Sequence, residues 1–144
     1  MGYNIEGKTR ELIEKFGTAD PEELCFRMGI VVADCELPEE TKGFCLMLSG
    51  GSAIMINENL SYNERKSCIA HELGHAVLHK GLNYMFMSQN TCMITGKFER
   101  EANLFAAYLI LQTISPKEGE TIENFSRRTA LSKESVERVI NCIK

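Results

Sequence analysis

The chain has 144 residues, 44% hydrophobic and 25% charged, a size and balance that fit one globular domain able to bury a core without metals or disulfides as staples. Sixteen basic against twenty acidic side chains give a net charge of −4, which argues against a general nucleic-acid binder and predicts no direct nucleic-acid partner. No apolar run approaches the ~20 residues of a membrane-spanning helix, and Met1–Lys8 lacks the apolar stretch of an export signal, so no membrane partner and a cytoplasmic location are expected.

Read in chain order, Ile5, Leu12, Ile13 and Phe16 have helical spacing over residues 4–16, closed by Gly17. Asp20-Pro21-Glu22-Glu23 starts a second helix, with an acidic N-cap and proline in the first turn, and Gly29 ends it. Ile30-Val31-Val32 reads as a short strand. The runs Gly43–Leu48 and Ala53–Asn57, joined by Ser49-Gly50-Gly51-Ser52, read as a hairpin, because glycine reaches the positive φ angles such turns demand. The expected sheet is therefore small and antiparallel, of about three strands beside helices, in an α+β fold.

From Ser61 the pattern turns helical again. Ser61 and Glu64 form a capping box, and the stripe Ile69, Leu73, Ala76 and Val77 carries the helix to about Leu78, where Lys80-Gly81 closes it. Residues 81–97 lack periodicity and read as a long loop whose apolar Tyr84–Met87 run flanks a substrate groove. Phe98 to Leu111 is a further helix. Two short helices follow near 121–128 and 132–142. Their helix–turn–helix rhythm carries six basic against five acidic residues from Ser115 onward, so a pair packing on the core is expected rather than a DNA reader. The division expected is one domain over 1–144, with a catalytic core to about residue 112 and a C-terminal helical segment over 113–144. The six cysteines show no close pair of thiols of the kind zinc ribbons and redox motifs use, and read as small buried apolar side chains.

The candidate chemistry sits in His71-Glu72-Leu73-Gly74-His75. Histidines four apart project from one helix face about a turn apart, so two imidazoles can reach one Zn2+ at ~2.0–2.1 Å. Glu72, beside the first of them, is placed to take a proton from an attacking water. A catalytic zinc site needs a third protein ligand and an open position. Glu99 follows His75 after 23 intervening residues, on the next helix, and Asn103 lies one turn beyond it, placed to hydrogen-bond His71 and fix its ring. A thermolysin-like site has the same layout. Glu101 is the alternative ligand, but it points about 200° away from Glu99 around the helix, so only one of the two can face the cleft. His79, another turn along, reads as a helix-end histidine stabilised by the C-terminal dipole.

Ala70 to His79, with Glu99-Arg100-Glu101-Ala102-Asn103-Leu104-Phe105-Ala106-Ala107, resembles the ImmA/IrrE family of metallopeptidases. Lys42-Gly43-Phe44, Ile56-Asn57, Asn63-Glu64-Arg65, and Asp20-Pro21 through Val31 resemble it too, so the likeness runs over about residues 18–112. The resemblance implies a zincin-like core, a bound zinc ion and a zinc-dependent endopeptidase. It also implies a substrate, a helix-turn-helix repressor of a mobile element or stress response, so that cleavage is anti-repressor activity. Family members usually follow the alanine-rich helix with Met-Pro; Leu111-Gln112 stands in those places here, which frees the helix to run on. Two rival readings keep the metal: a regulatory zinc protein that inactivates its partner by binding alone, and a structural zinc domain closed by a fourth His or Cys.

Overall fold

The computed structural model describes residues 4–79 and 92–143. Among the described residues the elements run α1 (Ile5–Phe16), α2 (Pro21–Arg27), β1 (Val31–Cys35), β2 (Gly43–Leu48), β3 (Gly51–Asn57), α3 (Tyr62–Leu78), α4 (Cys92–Ile110), α5 (Ile122–Thr129) and α6 (Lys133–Ile143). This is an α+β fold. The helix starts follow local hydrogen-bond chemistry: Asp20 accepts the Glu23 backbone N–H, and Ser61 and Glu64 satisfy each other's backbone donors at the head of α3. Gly17 takes the left-handed conformation that ends α1.

The sheet corrects the all-antiparallel expectation. Its order is β1-β3-β2, with β2 and β3 antiparallel but β1 and β3 parallel. The hairpin forms as read, yet β3 inserts between its partner and β1, so the 36–42 connection must cross the end of β3. Asn57, at that end and buried, holds the crossing: its Nδ2 donates to the carbonyls of Thr41 (2.9 Å) and Pro38 (3.2 Å). Lys42 accepts the Asn57 backbone N–H and Cys35 accepts that of Glu58, which pins both ends of the connection. These bonds join segments far apart in sequence, and strand composition does not reveal them.

Ile54 and Ile56 of the central strand are fully buried and join Leu24, Ile69, Leu73, Phe105 and Leu109 in one core. Side chains of this size contribute about 1.5–3 kcal/mol each on burial. The same core takes in Phe125, Val136 and Val139, so α5 and α6 pack onto it as expected. They are also pinned to α3, where Asn63 Nδ2 donates to the Arg128 carbonyl and Ser67 Oγ to that of Ala130.

α3 packs chiefly against α4. Gly74 permits the approach: a Cβ there would lie 3.2 Å from both Ala102 Cα and Phe105 Cβ. Two expectations about α4 need correction. The helix begins at Cys92, so residues 92–97 are helical and not loop, although β-branched Ile94 and Thr95 and then Gly96 lower local helix propensity. It ends at Ile110, and Leu111–Thr113 form a turn instead of a longer helix. The Tyr84–Met87 run and the Lys80-Gly81 cap lie outside the described residues. The cysteine reading holds for Cys25 and Cys68, but Cys35 and Cys45 are half-buried and Cys142 is exposed.

Candidate metal centre

His71 and His75 stand one turn apart on the inner face of α3, their rings edge to face with centroids 4.8 Å apart. Glu99, delivered by α4, meets both. His71 Nε2 lies 2.9 Å from Glu99 Oε2, and His75 Nε2 lies 3.3 Å from Glu99 Oε1. One donor atom from each of the three residues falls within 4.8 Å of the others. Bonds of ~2.0–2.1 Å in a tetrahedral site separate donors by about 3.3 Å, so this spacing suits a metal ion bound by two imidazoles and a carboxylate.

The site opens on a cavity of about 390 Å³, lined by His71, Glu72, Glu99 and Asn103 on one side. The turn between α5 and α6, residues 130–132, supplies another wall, and Lys42 with Gly43, at the start of β2, a third. Gly43 is small by necessity, because a Cβ there would lie 2.6 Å from the Met55 carbonyl oxygen and 2.8 Å from Cys68 Sγ. Glu72 is only 8% exposed. Burial lifts its carboxyl above the ordinary value, and the charges of His71 and His75 offset this only in part. Burial opposes a charge on His71, but the hydrogen bond to Glu99, the nearby Glu72 and Glu99 charges, and a hydrogen bond to Asn103 together raise its pKa. Asn103 lines the same wall of the cavity as His71. Cys68, which also lines the cavity, is a neutral thiol, its pKa pushed up to about 12 by burial.

Glu101 does not join this group. It is 7% exposed, and its Oε1 lies 3.0 Å from Nε2 of His79, which is fully buried. The helix-end reading of His79 holds, since it caps α3, but stabilisation of a charged ring by the helix dipole is corrected. Burial pushes its pKa below the ordinary value despite the Glu101 hydrogen bond. The residue type and the spacing were visible in the sequence; its partner on another helix was not.

The family model of the IrrE N-terminal-like peptidase domain matches residues 25–141. An immunity region protein, "Uncharacterized immunity region protein 2" of Bacillus phage phi105, is 39% identical over 107 residues, covering 74% of this chain and 68% of that protein. "Metallopeptidase ImmA" of Bacillus subtilis (strain 168) is 34% identical over 112 residues, covering 74% of this chain and 63% of its own length. Among the described residues no helix is long and apolar enough to cross a membrane. With the match spanning sheet, both donor-bearing helices and the C-terminal pair, the chain belongs to the IrrE N-terminal-like family of metallopeptidases.

Proposed function

We propose that the chain is a zinc-dependent endopeptidase of zincin-like architecture that cleaves a cytoplasmic protein, a helix-turn-helix repressor of a mobile element or stress response. The observation that carries the reading is the convergence of His71, His75 and Glu99 beside buried Glu72 on one open cavity. Three protein donors facing a cavity is the pattern of a catalytic metal site, whereas a structural zinc is closed by four. The relatives, one named a metallopeptidase and one from a phage immunity region, support a repressor as substrate.

His71, His75 and Glu99 are the proposed metal ligands, and Asn103 orients His71. A bound zinc ion supplies Lewis acidity, polarising the scissile carbonyl and acidifying the attacking water. Glu72 takes the proton from that water and returns it to the departing amine. Its carboxyl is buried at the cavity wall beside His71, where it can carry a proton between that water and the amine. The cavity walls at 130–132 and 42–43 hold the peptide across the site and restrict water.

Co-expression with a helix-turn-helix repressor offered as substrate tests the assignment. A cleavage product that disappears in Glu72→Gln is expected. Relief of repression without cleavage, unchanged in Glu72→Gln, would replace the enzyme by a protein that inactivates its partner through binding alone.

A further inference from the structure

Behind the ligand set lies a second buried polar pair. His79 Nδ1 is 3.0 Å from His75 Nδ1, and His79 Nε2 is 3.0 Å from Glu101 Oε1. The His79 ring is fully buried and lies against Phe98, centroid to centroid 4.2 Å. Residues 71, 75 and 79 share one face of α3, one turn apart each. Glu99 and Glu101, two apart on α4, meet that row at different heights, Glu99 at the first two rings and Glu101 at the third.

The hydrogen-bonding network assigns the protons. A carboxylate only accepts, so His79 Nε2 must carry the hydrogen that goes to Glu101. With no second hydrogen on that ring, His79 Nδ1 offers a lone pair. His75 Nδ1 must then donate to it. His75 Nε2 is left unprotonated, 3.3 Å from Glu99 Oε1. An unprotonated Nε2 is the form in which imidazole binds a metal.

We propose that His79 and Glu101 are positioning residues: a buried carboxylate–imidazole relay that fixes the tautomer and ring orientation of His75 and so presets its Nε2 as a metal ligand. The proposal rests on the zinc reading above and extends it to two residues that touch neither the metal nor the substrate. It also explains why a carboxylate is buried at 101, where an unpaired one would be costly.

The test uses the full chain and zinc alone. Affinity is measured by competition with a chromophoric chelator, and the ring nitrogens are followed by long-range proton–nitrogen spectra, for wild type, Glu101→Gln and Glu101→Leu. Wild type should show His75 protonated at Nδ1. Leucine, which cannot accept, should weaken zinc binding about 10–100-fold, the range found for outer hydrogen-bond partners of metal ligands. It should also mix the His75 tautomers. Glutamine keeps an acceptor oxygen but not the charge, and should weaken binding less than leucine does but by more than about twofold. Should the leucine variant fail to fold, the near-isosteric glutamine variant decides by the same two readings. Glutamine and leucine variants that bind within twofold of wild type, or a wild-type His75 unprotonated at Nδ1, overturn the relay while leaving the zinc site standing. A wild type that binds no zinc overturns the metal reading itself, and the relay with it.

Discussion

Gly74, in the middle of the two-histidine motif, is expected to matter for metal binding through the packing of a helix it does not belong to. In Gly74→Ala the new Cβ meets Ala102 Cα, Phe105 Cβ and Phe105 Cδ1, all at 3.2 Å. Relaxed carbon contacts lie at about 3.5–4.0 Å, so α4 must withdraw by roughly 0.3–0.8 Å. Overpacking of this kind costs about 1–3 kcal/mol, while alanine in a helix interior recovers about 1 kcal/mol relative to glycine. The net loss of stability is then on the order of 0–2 kcal/mol, a modest shift in the urea midpoint. Glu99 lies one turn from Ala102 on α4 and moves with it, whereas His71 and His75 stay on α3. Metal–ligand distances tolerate only about 0.2 Å. Chelator competition should therefore show zinc bound at least about tenfold more weakly, a larger effect than the stability change alone accounts for. A variant that binds zinc as tightly as wild type would show that α4 does not set the position of Glu99, and the reasoning would fail.

His71→Ala or His75→Ala should abolish zinc occupancy measured after dialysis, while Glu72→Gln should retain the metal and lose cleavage, because ligands set affinity and the base sets chemistry. Glu99→Ala should deplete zinc more than Glu101→Ala; the opposite ranking would move the third ligand to Glu101. Ala130 ends α5 at φ 60°, in the left-handed region disfavoured for residues with a Cβ, so Ala130→Gly should stabilise by about 1 kcal/mol in urea unfolding. Glu120 accepts from Arg128 and from the Lys117 backbone N–H, and these partners hold its carboxyl down at about 2. A depressed folded-state pKa means that the stabilisation is fully present above the unfolded value of 4.5 and is lost as pH falls toward 2. The gap in urea midpoint between wild type and Glu120→Gln should thus be widest near pH 6 and narrow below pH 4.5, and a gap independent of pH would refute it.

The sequence by itself determined what short-range chemistry controls. Asp20 and Ser61 bond backbone groups three residues away, so the starts of α2 and α3 are written where they occur. The five-residue motif places His71 and His75 on one face because the helical repeat demands it. The glycine pair announces the hairpin because glycine reaches positive φ, as Gly51 does at 142°. Interactions between distant segments were decided only by the tertiary structure. Nothing near Ile30-Val31-Val32 says that β3 will lie beside it in parallel; Asn57, more than twenty residues later, holds the crossing that makes it so. Helix propensity around Gly96 argues against helix, yet α4 runs through it. The helical repeat established that Glu99 and Glu101 face different ways, but not which of them meets the two histidines. That choice depends on how α4 is rotated and how closely it rests on Gly74. The same packing makes His79, at the end of α3, the buried neighbour of Glu101. Pairing of this kind is set by shape and burial across the core, and no window of neighbouring residues contains it.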